Sequence, residues 1–172
     1  MDGIDLACKV QQDCYQCMQM DDDVKHSCTS NARYRYQLLK DEDDPDNVFK
    51  RDMVCTDKWV SDDGGNKKSH CKRAVCECDR GLAMRLRNAE HEWNNDNHKI
   101  WGDFDDQVCL LGSQGGTGGP QRDTCCGYYT DDGLRFPYSS SRSGCCGRKT
   151  YSIDLQECCD EDNSVVSTIG GC

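Results

Sequence analysis

Sixteen of the 172 residues are cysteine. At about 9% of a short chain, that abundance points to a disulfide scaffold. The remaining composition makes the cross-links necessary. Leu, Ile, Val and Phe together number twenty-five, and the formal net charge is -10. Few apolar residues with a high net charge normally give a disordered chain. A core of this size cannot offset the conformational entropy of folding. A typical bridge contributes about 2–4 kcal/mol, so several of them can supply what the core lacks. The chain is therefore read as a small disulfide-rich protein of an oxidising compartment, secreted or extracellular. The opening Met1-Asp2-Gly3 does not read as a signal peptide, and the expectation is a mature chain or a fragment.

The charge excludes other classes. An acidic chain is a poor partner for nucleic acid. No run approaches 18 apolar residues, so no membrane span is expected. The acidity is carried by 25 Asp against only 6 Glu. Helix preference would favour Glu. Short Asp side chains instead suit turns and the coordination of hard cations.

Three segments are expected: 1–111, a Gly-rich linker at 112–122 read from Gly112 to Gly119 followed by Pro120, and 123–172. Two helices are predicted in the first segment. Leu6, Val10, Cys14 and Cys17 recur at helical spacing, as do Val75, Cys78, Leu82, Leu86 and Ala89. Between them the chain is polar. A short hairpin is expected around Val54 and Trp59, turning at Asp62-Asp63-Gly64-Gly65. Both outer segments are acidic, so no oppositely charged docking pair is expected between them.

The cysteine spacing carries a resemblance. Cys71-x4-Cys76-x-Cys78-Asp79 and Cys8-x5-Cys14-Tyr15 resemble the two motif helices of secreted phospholipase A2 over about residues 2–100. The resemblance implies two long antiparallel helices of that type, with bridges Cys14–Cys78, Cys28–Cys71 and Cys55–Cys76. Two further family cysteines fall here on Ala7 and Arg85, so one whole bridge is missing with no half left over. The family's general base falls on Gln11 and its calcium-binding Asp on Gln12; Tyr15 and Asp79 match the supporting residues. A glutamine amide has no basic nitrogen at neutral pH and cannot take a proton from water. Gln12 would offer a neutral oxygen where a carboxylate should hold calcium. The family's calcium loop and first helix precede these motifs, and neither is expected here. A one-residue shift would bring Asp13 towards the metal position but would supply no base. The expectation is therefore a chain with no catalytic residues, not an enzyme.

The last segment has its own signature. Cys125-Cys126-Gly127, Cys145-Cys146-Gly147 and Cys158-Cys159 resemble the di-cysteine repeat of galaxin-like proteins of calcified matrices, over about residues 125–159. Neighbouring cysteines rarely bridge each other, so each pair should staple two different neighbours. The overall fold class is thus small, disulfide-rich and mainly α, with a loop-rich, cystine-stapled C-terminal module carrying short strands. The partners of Cys8, Cys17, Cys109 and the C-terminal cysteines stay open. Cys8 has Cys17, Cys109, a tail cysteine or another chain as its options.

Other candidates carry less. Cys14-Tyr15-Gln16-Cys17 lacks a thioredoxin-like context and is read as two half-cystines. Zinc is disfavoured where thiols oxidise. His26, His70, His91 and His98 are read as surface residues, and Trp59, Trp93 and Trp101 as packing residues. No acidic run matches a high-affinity calcium loop. Weak calcium or mineral contacts are assigned to Asp21, Asp22, Asp23, Asp41, Asp43, Asp44, Asp46, Asp103, Asp105, Asp106, Asp160 and Asp162, with no cofactor beyond weakly held Ca2+. The leading expectation is a secreted, non-catalytic matrix protein contacting calcium or mineral, by analogy with otoconins. Alternatives are an interaction subunit whose fold another chain (or a second copy) completes, and a lipid-binding or toxin-like binder.

Overall fold

The computed structural model describes residues 3–21, 28–40, 52–59, 66–92, 121–130 and 133–172. Helix α1 spans Gly3–Met20 and helix α2 spans Lys67–Asn88, followed by a 3-10 turn at Glu90–Glu92. The start of α2 is fixed by Asn66, whose side chain accepts a hydrogen bond from the Ser69 N–H at 2.9 Å. That cap satisfies one of the orphan donors of the first turn. Contacts pair residue 3 with 92, 11 with 79 and 14 with 78, so the two helices run antiparallel.

The core lies between them. Cys14, Met18, Cys71, Ala74, Val75 and Cys78 are buried together, with Trp59 and Tyr34 against their edge. Bridges Cys14–Cys78, Cys28–Cys71 and Cys55–Cys76 cross-link this core. On α2 Glu77 is also buried, held by Arg73 at 2.7 Å and Arg80 at 3.0 Å. The guanidinium groups supply the partners without which a buried carboxylate would be costly.

The helical faces differ from expectation at their ends. On α1 the buried residues are Ala7, Cys14, Cys17 and Met18, whereas Leu6 is 51% exposed. Leu6 lies on the same face as Cys17, about three turns away at 3.6 residues per turn. The bridge and hydrogen bonds that tie the C-terminal segment to α1 fall at Asp13, Cys17 and Asp21, so that segment is fastened at the Cys17 end. On α2, Val75, Cys78 and Ala89 are buried, while Leu82 and Leu86 are half-buried.

The expected hairpin is also corrected. Val54 does lie in a strand, β2 (Asp52–Cys55), but that strand pairs backwards with β1 (Tyr36–Leu39), Tyr36 opposite Cys55. Trp59 is not in a strand; it packs against His70 at 4.7 Å. The proposed turn at 62–65 lies outside the described residues. His70 is therefore half-buried against an indole rather than a free surface residue.

The C-terminal segment is a run of three antiparallel hairpins: β3 (Thr124–Tyr128) with β4 (Leu134–Tyr138), β5 (Ser143–Cys146) with β6 (Lys149–Ser152), and β7 (Gln156–Asp160) with β8 (Val165–Thr168). The expectation of a mainly α, loop-rich chain thus undercounts its strands. The cystines join the hairpins in series: Cys126–Cys145, Cys146–Cys158 and Cys159–Cys172. Each double-cysteine site sends its two sulfurs to different partners. The first cysteine of the series, Cys125, reaches back 108 residues to Cys17 on α1.

That bridge is one of several ties to the helices. Tyr129 joins the interhelical core. Arg135 donates to both oxygens of Asp21, at 2.9 and 2.7 Å, and the Tyr129 hydroxyl donates to Asp21 at 2.6 Å. A docking pair therefore does exist, although summed charge gives no sign of it. Gly133, at φ +67°, sits where a Cβ would come within 2.8 Å of the Glu77 carbonyl oxygen. Only glycine meets both the left-handed backbone and that approach. The Gly-rich run at 112–119 lies outside the described residues. Cys8 is exposed and, among the described residues, outside the bridges. Cys17 and the tail cysteines are excluded as its partners by their own bridges, and Cys109 lies outside the described residues.

Replacing Cys17 and Cys125 together by Ser should lower stability by about 2–5 kcal/mol, the range for one bridge lost from a cystine-rich domain. Calorimetry reads the loss, and limited proteolysis should show faster cleavage within 121–172.

Candidate functional site

Asp79 stands on α2 facing α1, and three side chains converge on its carboxylate. Gln11 Nε2 donates to Oδ1 at 2.8 Å, and Tyr34 Oη donates to Oδ2 at 2.9 Å. Tyr15 Oη also donates to Oδ1, and accepts from Gln11 Nε2 at 3.2 Å. Residues from α1, α2 and the strand approach before β1 thus meet at one half-buried point. Gln11 and Tyr15 are one helical turn apart, so they share a face of α1 and reach the same acceptor. The Cys14–Cys78 bridge sits beside the cluster and holds the two helices in register.

The electrostatics follow from this packing. Burial raises the phenol pKa values of Tyr15 and Tyr34, and the hydrogen bond to Asp79 and its charge raise them further. Both tyrosines are therefore held neutral, as donors. The amide of Gln11 spends its N–H groups on Asp79 and Tyr15, and has no lone pair on nitrogen to accept a proton. The cluster as built is a hydrogen-bonded brace between helices. Gln12, one residue on, is exposed. Asp13 meets Arg122 at 3.3 Å.

Of the residues singled out in the sequence, the structure brings Gln11, Tyr15 and Asp79 together and leaves Gln12 outside. Tyr34 is missed by sequence reasoning. Its only sequence signal is the alternation Tyr34-Arg35-Tyr36 leading into a strand.

The acidic candidates separate. Asp21 does not face solvent as an ion contact: both its oxygens are engaged by Arg135 and Tyr129. Asp160 accepts from the backbone N–H of Asn163 at 3.0 Å and its side chain at 2.6 Å, bonds that hold its carboxyl below the usual range. Asp162 is exposed. Asp22, Asp23, Asp41, Asp43, Asp44, Asp46, Asp103, Asp105 and Asp106 lie outside the described residues. Among the described residues no group of three or more His, Cys, Asp or Glu side chains is placed to hold a metal ion. Among them, too, no helix is long and apolar enough to cross a membrane.

Comparison with known proteins adds one relationship. The chain is 29% identical over 92 residues to the basic phospholipase A2 beta-bungarotoxin A-AL4 chain of Bungarus multicinctus, a match covering 53% of this chain and 50% of the other. The chain spans about half the length of the curated relative it matches. No family model matches, and no solved structure does. This distant homology supports a phospholipase A2-like domain within a disulfide-rich chain.

The brace makes a pH prediction. Raised phenol pKa values contribute stability that is fully present below the ordinary tyrosine value of 10.0 and is lost as pH rises through the folded values. The unfolding free energy should therefore fall above about pH 10. In Asp79→Asn the carboxylate charge is gone, and tyrosinate absorbance should appear at lower pH than in the wild type. Unchanged titration would show that the carboxylate does not govern these phenols.

Proposed function

We infer that this chain is a secreted, non-catalytic protein of an extracellular or mineralised matrix, with a phospholipase A2-like helical unit used as a scaffold. The observation that carries this reading is the Gln11 amide donating to Asp79, at the position where the resemblance puts a proton-accepting imidazole. A hydrolase of that family needs a group to activate water, and an amide cannot do so. The neutral Gln12 at the metal position supports the same reading. The distant homology to a phospholipase chain supports the scaffold, and the many bridges suit an oxidising extracellular setting.

The tail is read as galaxin-like because its double cysteines and their Gly and Tyr neighbours resemble that repeat. The mechanism follows from charge and rigidity. A net charge of -10 carried mostly by Asp offers many short carboxylates. Bridged hairpins keep part of them at fixed spacing. Each carboxylate binds calcium weakly, but several acting on one ion or one carbonate surface bind together. Asp21 contributes nothing to this, being spent on the tail. Asp22, Asp23, Asp162 and the acidic runs at 41–46 and 103–106 are the residues assigned to it.

A second reading has its own observation. Ile4 and Leu86 line an apolar groove, and Cys8, one turn on from Ile4 on the same face of α1, is exposed and outside the bridges of the described residues. An open apolar groove with an exposed cysteine on the same side of the helix suits an interaction subunit completed by another chain. Non-reducing mass analysis separates the two readings: a covalent species above 19.4 kDa favours the subunit.

The leading reading predicts no phospholipid hydrolysis by the wild type with millimolar calcium, and slowed or redirected carbonate crystal growth. Calorimetric titration should show weak calcium binding, on the order of millimolar. Measurable hydrolysis, or the absence of both calcium heat and any crystallisation effect, would overturn it.

A further inference from the structure

Fourteen of the sixteen cysteines form seven bridges, and the two outside those bridges are Cys8 and Cys109. Every other cysteine is already spent, so within one chain each of these two can bond only to the other. We propose that Cys8 bonds to Cys109, and that the apolar residues flanking Cys109 seat in the groove between the start of α1 and the end of α2.

Segment 93–120 lies outside the described residues, but its two ends are both fastened beside Cys8. The chain leaves from Glu92, whose carboxylate accepts from the Gly3 N–H at 2.5 Å. It returns at Gln121, next to Arg122, which meets Asp13 at 3.3 Å. Cys8 stands on α1 midway between Gly3 and Asp13, about 7.5 Å along the axis from each at 1.5 Å per residue. Cys109 follows Glu92 by 17 residues and precedes Gln121 by 12. At about 3.3 Å per extended residue, either arm is several times longer than the span it must cross.

The surfaces match as well. Ile4 and Leu86 line a groove of about 300 Å³, with Arg87 and Glu90 alongside. Ile4 and Cys8 are one turn apart on the same face of α1, and Cys8 is exposed. Val108, Leu110 and Leu111 flank Cys109. A bridge at Cys8 holds these side chains beside the groove, where they and Ile4 are removed from water together. Tethering gives the two thiols an effective concentration on the order of millimolar, above that of any second chain in dilute solution. The bond forms by exchange with a disulfide oxidant, oxidised glutathione or a protein disulfide of an oxidising compartment. One S–S bond forms in the chain and one breaks in the oxidant, whose sulfurs take up the two protons and leave as thiols.

This bond does not depend on the matrix reading, and its test is separate from the calcium and hydrolysis measurements. Trypsin cutting at Lys9, Lys99 and Arg122 leaves Cys8 alone in peptide 1–9 and Cys109 alone in peptide 100–122. In a non-reducing digest of the full oxidised chain, the two peptides should travel as one species that separates on reduction. The undigested chain should stay at 19.4 kDa with no free thiol. Peptide 1–9 joined to any other peptide, a free Cys8 thiol or a covalent dimer would overturn the bridge. Hydrogen exchange tests the seat. The double change Leu110→Ser with Leu111→Ser, made with every cysteine in place, should speed amide exchange over 82–90 about tenfold. Unchanged exchange would overturn the seating. Should that variant fail to oxidise, Cys8→Ser with Cys109→Ser, which leaves the other seven bridges intact, gives the same readout.

Discussion

Everything in this chain rests on a covalent series that begins inside the helix pair. Cys14–Cys78 locks α1 to α2, and three residues later on α1 Cys17 passes the constraint to Cys125. From there each double cysteine hands it to the next hairpin, as far as Cys172. A two-stranded hairpin by itself is marginal in water. Here no hairpin stands alone, because each is tied to its neighbour before it must bury apolar surface. Much of the unfolded-state entropy has been removed in advance. The same arrangement explains why a chain with so few branched apolar residues can have an ordered tail: its buried residues there include the half-cystines Cys126 and Cys146.

Covalent linkage alone would leave the tail free to pivot about one bridge. Orientation comes from the Tyr129, Arg135 and Asp21 cluster, where an aromatic ring enters the core and a two-point ion pair closes over it. A bidentate guanidinium–carboxylate pair has a fixed geometry, unlike a lysine contact. Gly133 then lets the hairpin backbone approach α2 closely. Bridge, ring and ion pair thus fix distance, depth and direction, in that order.

The sequence showed a good part of this. Apolar periodicity located both helices, and the family resemblance implied three cystine pairings that the structure contains and put Gln11 and Asp79 at matching positions of the two helices. What it hid was information held between distant residues. β1 pairs with β2, and nothing in the local pattern around Val54 distinguishes a partner ahead of it from one behind. Tyr34 reaches Asp79 across 45 positions, and Arg135 reaches Asp21 across 114. A charge total over each segment averages away one decisive pair. Leu6 fits the helical period yet is exposed, because periodicity reports which face is apolar and not how far a neighbour extends along it.

Gln11 also shows how an amide can support a half-buried carboxylate. Asp79 is half-buried, so each donor it accepts offsets the desolvation of its charge. An apolar residue at position 11 would remove a donor and leave Oδ1 to Tyr15 alone. Compared with a histidine, glutamine lacks only the basic lone pair. Its amide still donates at 2.8 Å, and it reaches Tyr15 as well. The carboxylate therefore keeps three donors, and the helices keep their polar brace beside the Cys14–Cys78 bridge. Proton acceptance and structural support separate at one atom, and Gln11 provides the support.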